Sequence, residues 1–103
     1  MLLSLSGFLA EVVRGGDATV RRALEVSPQA VLVDINLAGE DTFEVGRRLR
    51  GGLGSRVRLI GLTPCDWEGD PARWTEAGFD GWLRQPVEPR QLLDLLASGR
   101  QGG

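Results

Sequence analysis

The sequence predicts an α/β domain in which about four strands of a parallel sheet alternate with four helices. Two short apolar runs rich in β-branched residues, Ala30–Asp34 and Val57–Leu62, are typical of buried parallel strands. The segments between and after them carry apolar residues at helical spacing, with capping residues at their starts. Strands that alternate with helices imply right-handed βαβ crossovers and hence a parallel sheet.

In the first third of the chain, Leu9–Val13 is the first strand candidate. Asp17 is the expected N-cap of a helix over residues 18–26, and Pro28 ends that helix because proline cannot continue it. The apolar strand Ala30–Asp34 follows and finishes on a carboxylate.

In the middle of the chain, Thr42 is the expected N-cap of a helix over residues 43–50. We expect Gly51–Gly52 and Gly54 to end this helix, since glycine is favoured at helix C-termini. The second buried strand, Val57–Leu62, comes next.

In the last third, Asp70 is the expected cap of a helix over residues 71–78, and proline is well tolerated at the first position of a helix. A strand over residues 79–85 is broken by Pro86, and the last helix covers residues 88–98. The domain is thus expected to span residues 1–98, with a disordered tail at 99–103.

Polar residues stand where the three successive strands end: Asp34, Thr63 and Gln85. In an open parallel sheet these ends meet at one edge, and ligands bind there. The spacing therefore predicts a crevice that combines a carboxylate, a hydroxyl and an amide. The alternative is that Asp34 only caps the turn after its strand.

Composition excludes several functions. The net charge is −2 without a basic block, which argues against direct nucleic-acid binding, and the chain has no His and a single cysteine, Cys65. No Ser–His or Cys–His pair is available for catalysis, so no enzyme is expected. No stretch is long enough to span a membrane, and the N-terminus lacks the basic region of a signal peptide, so a cytoplasmic protein is expected.

One competing motif is a calcium-binding loop, because Asp34 and Asn36 lie at its first and third positions. The fifth position is Ala38 and the twelfth is Val45, and neither side chain offers an oxygen ligand. We therefore reject this interpretation.

Three segments in order resemble the receiver domains of bacterial response regulators. They are GFLAEVVRGGDATVRRALEVSPQAVLVD, VLVDINLAGEDTFEVGRRLR and LIGLTPCDWEGDPARWTEAGFDGWLRQPVEPRQLLDLL, which together cover nearly the whole chain. The resemblance implies a CheY-like, flavodoxin-like fold that works in two-component signalling.

By this resemblance, Asp34 is the residue that accepts a phosphoryl group. Thr63 matches the hydroxyl that contacts the phosphoryl group, and Trp82 matches the aromatic switch position on the last strand. Asn36 matches the residue whose backbone carbonyl binds Mg²⁺, so Asp34 and Asn36 are the candidate metal ligands. Pro86 matches a proline whose preceding peptide bond is usually cis.

Two departures from the family's pattern affect the chemistry. The family's first strand, which ends in an acidic pair that holds Mg²⁺, has no counterpart, and residues 1–8 align with the end of the first helix. Gln85 also stands where the family has a lysine. Mg²⁺ binding is therefore expected to be weak, although the loop acids Asp66, Glu68 and Asp70 could approach it.

The missing strand belongs between the family's second and third strands. The remaining strands could close up, a partner chain could supply a strand, or the natural protein could be longer.

Two functions follow. The first is a receiver whose phosphorylation at Asp34 is impaired, with a histidine kinase or a phosphotransfer protein as its partner. The second is a phosphorylation-independent pseudo-receiver that contacts an output protein, or a second copy, through the face that carries Trp82. Neither requires direct contact with nucleic acid or a membrane.

Overall fold

The computed structural model describes residues 2–5, 8–13, 17–26, 28–35 and 41–97. The strands are β1 Leu2–Leu5, β2 Phe8–Val13, β3 Ala30–Asp34, β4 Arg58–Thr63 and β5 Gly81–Arg84. The helices are α1 Asp17–Val26, α2 Thr42–Leu53, α3 Ala72–Glu76 and α4 Pro89–Ala97, and a short 3-10 helix, Gly54–Arg56, follows α2. Within these ranges no helix is both long enough and apolar enough to cross a membrane.

The five strands form one sheet in the order β1-β2-β3-β4-β5. β2, β3, β4 and β5 are mutually parallel, and each is followed by a helix. The predicted arrangement of four parallel strands with four helices is therefore confirmed. Its physical cause is that buried apolar strands separated by amphipathic helices can pair only through crossover connections.

The N-terminal segment differs from the expectation. Residues 2–5 form a strand that pairs antiparallel with β2, from Leu2 opposite Glu11 to Leu5 opposite Phe8, so their alignment with a helix was wrong. β2 itself pairs directly with β3, with Val12 opposite Leu32. The parallel strands have thus closed up, and β1 covers backbone groups that an open sheet edge would leave unpaired.

Both ends of α2 differ from the prediction. Its N-cap is Asp41 rather than Thr42, because an oxygen of the Asp41 carboxylate accepts the backbone N–H of Phe43 at 2.9 Å. The helix continues through Gly51–Gly52, and only Gly54, with a φ of 75°, ends it. Two consecutive glycines cost helix propensity, but the buried face of α2 outweighs that cost.

Smaller differences occur at other element ends. α1 begins at Asp17 itself rather than after it, and β4 is shifted by one residue from Val57–Leu62 to Arg58–Thr63. α3 runs from Ala72 to Glu76 and its N-cap position is Pro71 rather than Asp70, although the Asp70 carboxylate accepts the N–H of Ala72 at 3.0 Å. Element ends are the least determined part of any helix or strand.

At the C-terminal end, β5 is shorter than the predicted strand over 79–85, and α4 ends at Ala97. The predicted domain end at residue 98 and the tail at 99–103 lie outside the described residues.

The sheet separates two apolar clusters, because successive strand residues point to opposite faces. On one face, Val31 and Val33 pack against α1, α2 and α3, and on the other, Ala30 and Leu32 pack against α4. Both faces of the parallel strands are thus buried, which is why the strands are apolar throughout.

Trp74 of α3 fills the centre of the first cluster and is 1% exposed. Its ring packs edge-on against Phe43 and Phe79, with both centroid distances at 4.8 Å. Gly61 of β4 makes room for the indole, because a Cβ at that position would lie 2.2 Å from Trp74 Cζ3. This packing attaches the five-residue α3 to the sheet.

A buried ion pair joins the end of α2 to the start of β5. Arg50 donates to the carboxylate of Asp80 at 2.7 Å and to the carbonyl oxygens of Gly78 and Val57 at 2.9 and 3.0 Å. The same Asp80 oxygen accepts the backbone N–H of Leu59 at 2.9 Å. One guanidinium group therefore holds three chain segments together.

The packing of Trp74 predicts that Gly61→Ala destabilises the protein by about 2 kcal/mol, because the added methyl group overlaps a ring that cannot move freely. Gly51→Ala is the matched control, since no atom lies within 4 Å of its added Cβ. That variant should be stabilised by about 0.5–1 kcal/mol, as expected for alanine in an exposed helix. Urea unfolding followed by circular dichroism measures both, and equal midpoints would contradict the prediction.

The ion pair predicts that Arg50→Ala lowers the free energy of unfolding by about 2 kcal/mol, because it leaves Asp80 in a largely buried site without its cation. Arg47→Ala on the same helix is the control. Its partner Glu44 lies 3.0 Å away, but both side chains are more than half exposed. That change should cost no more than about 0.5 kcal/mol in the same unfolding experiment.

Candidate functional site

The carboxyl ends of the parallel strands bring the three predicted polar residues to one edge of the sheet. Asp34 ends β3 and pairs in register with Leu62, Thr63 ends β4, and Gln85 follows β5. Two backbone hydrogen bonds continue the ladders beyond the strands, from Ile35 N–H to the Leu62 carbonyl at 2.9 Å and from Gln85 N–H to the Thr63 carbonyl at 2.7 Å. The three residues therefore lie along one edge of the sheet, and the predicted crevice between their side chains stays a prediction.

Asp34 is half-buried, and a residue whose role the sequence did not reveal fixes its backbone. The hydroxyl of Thr42 contacts the carbonyl oxygens of Asp34 and Ile35 at 2.8 and 2.9 Å. Thr42 is 3% exposed and occupies the first turn of α2. It joins the end of β3 to the start of α2, whereas the sequence pattern suggested only a helix cap.

Thr63 is completely buried, and its hydroxyl donates to the carbonyl of Leu83 on β5 at 3.4 Å. At that length the hydrogen bond is weak. The hydroxyl therefore has a partner on the neighbouring strand but could exchange it at small cost.

Gln85 is half-buried, and the peptide bond between Gln85 and Pro86 is cis, the isomer that the resemblance implies. The adjacent cation, Arg84, contacts the loop that follows β4. Its Nη1 donates to the carbonyl oxygens of Cys65 and Trp67 at 3.2 and 2.8 Å. The positive charge at the end of β5 is thus held on the loop that follows β4.

The three tryptophans form a continuous aromatic row. Trp67 packs against Trp82 with ring centroids 5.4 Å apart and against Trp74 at 5.9 Å. Trp74 is a core residue, whereas Trp67 and Trp82 are half-buried, and the guanidinium of Arg84 lies 5.3 Å from the centre of the Trp82 ring. Trp82 is accordingly part core and part surface.

The described residues offer few of the oxygen ligands that were predicted for a metal ion. Asn36 lies outside the described residues. Among the residues that the structure does describe, no group of three or more His, Cys, Asp or Glu side chains could hold a metal ion. The exposed loop acid Asp70 already accepts a helix N–H. Mg²⁺ prefers near-octahedral oxygen ligation and usually keeps several waters beside one or two carboxylates, and among the described residues Asp34 is the predicted carboxylate ligand.

No protein-family model matches the chain. Over 90 residues it is 31% identical to the nitrate/nitrite response regulator protein homolog of Haemophilus influenzae, and the match covers 87% of this chain and 43% of that protein. Over 103 residues it is 33% identical to the sensory transduction protein RegX3 of Mycobacterium tuberculosis, with 99% of this chain and 44% of that protein covered. The chain therefore spans less than half the length of these relatives.

A solved structure has a similar fold. The REC domain of AraT, a response regulator from Geobacillus stearothermophilus, superposes with a TM-score of 0.69 and covers 82% of this chain and 64% of that domain. At 20% sequence identity, this likeness shows the fold alone. It confirms the predicted CheY-like, flavodoxin-like architecture.

The contact of Thr42 predicts that Thr42→Val lowers the free energy of unfolding by about 1–2 kcal/mol, because two carbonyl oxygens lose a buried donor. Thr75→Val is the control, since Thr75 is an exposed helical threonine. Urea unfolding should show a clear loss for the first variant and a change within about 0.5 kcal/mol for the second. Equal losses would mean that the hydroxyl of Thr42 contributes nothing beyond helix propensity.

Proposed function

Because the chain is a CheY-like receiver domain, we propose that it acts in two-component signal transduction, with Asp34 at the phosphoacceptor position and with impaired phosphoryl transfer. In the proposed reaction a carboxylate oxygen of Asp34 attacks the phosphorus of a phosphohistidine or of acetyl phosphate. The bond from phosphorus to nitrogen or to the leaving oxygen breaks, and an acyl phosphate forms on Asp34.

The observation that carries the impaired transfer is that the end of β5 presents a neutral amide to the site while its cation contacts the neighbouring loop. Phosphoryl transfer depends mainly on positioning and on neutralising the phosphoryl oxygens. Gln85 offers a neutral amide, whose hydrogen bond is roughly half as strong as a charge-assisted one. The guanidinium of Arg84 donates to the carbonyls of Cys65 and Trp67 instead.

The remaining parts of the site support an acceptor role without making it efficient. Asp34 is half-buried at the strand end, and Thr42 holds its backbone in place. Thr63 could release its weak bond to Leu83 and donate to a phosphoryl oxygen. No step is assigned to Mg²⁺; Asp34 is the described carboxylate that would hold it, beside water and phosphoryl oxygens.

The partners belong to the same proposal. A histidine kinase or phosphotransfer protein would supply the phosphoryl group, and an output protein or a second copy would bind the face that carries Trp82. The domain would then serve as a phosphoacceptor and binding module rather than as an enzyme, in the cytoplasm, without direct contact with nucleic acid or a membrane.

The second candidate is a pseudo-receiver that binds its partner regardless of phosphorylation. The contacts of Arg84 favour it, because they fix the loop that follows Thr63 without any phosphoryl group.

The proposal is tested by intact-protein mass spectrometry after incubation with acetyl phosphate and Mg²⁺. The wild type should gain a phosphoryl group slowly, and Gln85→Lys at least about tenfold faster, because an ammonium adds a charge-assisted bond in the transition state. Asp34→Asn should abolish the added mass in both backgrounds. Gln91→Lys, which adds the same charge at an exposed position of α4, should behave as the wild type does.

The outcomes separate the two candidates. Fast and complete phosphorylation of the wild type would contradict the impairment. If the folded Gln85→Lys variant also gains no mass, the site lacks more than a cation, and the pseudo-receiver is the better description.

A further inference from the structure

The loop between β4 and α3, residues 64–71, is held more firmly than its exposed acids suggest. The N–H of Trp67 donates to the carbonyl of Pro64 at 3.2 Å and closes a turn. The indole of Trp67 then packs against both Trp74 and Trp82. The backbone at Gly69 passes so close to this indole that a Cβ there would lie 2.3 Å from its Cζ2.

Arg84, the last residue of β5, is hydrogen-bonded to this loop. Its two bonds reach the carbonyls of Cys65 and Trp67, and its guanidinium lies over the ring of Trp82, its near neighbour on the strand. The planar guanidinium can donate to two acceptors while it stacks on an aromatic ring, which a lysine cannot do. The loop and the aromatic row are therefore tied to β5 by one side chain.

The position of Arg84 in the sheet connects its hydrogen bonds to Thr63 and, through Thr63, to Asp34. Arg84 lies opposite Thr63 in the parallel ladder, and Thr63 is the residue directly before the loop. A displacement of Thr63 towards Asp34 would pull Pro64 and Cys65 with it and would strain the bonds to Arg84. The loop can move in response to a change at Asp34 only after the hydrogen bonds from Arg84 break.

We infer that Arg84 is a latch that holds the loop 64–71, together with Trp67 and Trp82, in one conformation whatever the charge on Asp34. Arg84 is thus a positioning residue, and it acts through the loop rather than on a phosphoryl group. This inference rests on the proposed function, since it concerns the regulation of the same site. It implies that the surface around Trp82 is presented constitutively to a partner.

Amide hydrogen exchange followed by mass spectrometry on the full chain tests the latch. Arg84→Ala should speed exchange in the loop by about tenfold, which corresponds to about 1.4 kcal/mol, and Arg84→Lys should have a smaller effect. The control is Arg90→Ala, which removes the same charge from an exposed position in the first turn of α4 and should leave the loop unchanged. Exchange in β3 reports whether the fold itself is intact.

A second arm tests the connection to Asp34, which a merely structural arginine would not affect. With Arg84 present, Asp34→Asn should leave the exchange rate of the loop amides within about twofold of the wild-type rate. In the Arg84→Ala background, the same substitution should change that rate by more than about threefold. The inference is overturned if Arg84→Ala exchanges as the wild type does. It is equally overturned if Asp34→Asn shifts the loop while Arg84 is present, or has no effect once Arg84 is removed.

These outcomes are independent of the acetyl phosphate experiment. Fast and complete phosphorylation of the wild type would refute the impaired transfer and would leave the exchange rates as evidence on the latch. Loss of the latch would leave the added mass as evidence on Asp34.

Discussion

The direct pairing of β2 with β3 is the constraint on which the rest of the fold depends. Their register, from Ala10 opposite Ala30 to Val13 opposite Val33, satisfies the backbone of both strands inside the sheet. Because the strands are then buried on both faces, α1, α2 and α3 cover one side and α4 the other. The neighbouring parallel ladders, β3 with β4 and β4 with β5, align the strand ends that carry Asp34, Thr63 and Gln85.

Arginine supplies the cross-connections that such a small core requires. All twelve cationic residues of the chain are arginines. Arg50 joins three segments around Asp80, Arg73 lies 4.2 Å from the centre of the Phe43 ring, and Arg84 ties a loop to β5. A guanidinium suits these tasks because it donates in several directions and stacks on rings. Since the chain contains no lysine, no other lysine makes up for the one whose loss at Gln85 is proposed to impair phosphoryl transfer.

The proposed impairment of phosphoryl transfer and the proposed latch have their cause in the same part of the fold. The first proposal depends on the neutral amide of Gln85, and the second depends on the bonds from Arg84 to the carbonyl oxygens of Cys65 and Trp67. Both features act at the end of β5, within two consecutive residues. The partly buried Trp82 lies beside them, so the surface proposed for partner binding and the site proposed for phosphorylation are connected through one strand.

Three features could be predicted from residue patterns: the alternation of strands and helices, the alignment of Asp34, Thr63 and Gln85 at one edge, and the family resemblance. These depend on apolar periodicity and on residue order, which are local properties of the chain. Three other features became visible only in the folded structure: the strand at Leu2–Leu5, the role of Thr42 and the contacts of Arg84. Each depends on which groups from distant segments come within hydrogen-bonding distance. A pattern of residue types does not encode those distances, because the same threonine or arginine serves equally well as a helix cap or as a solvated surface residue.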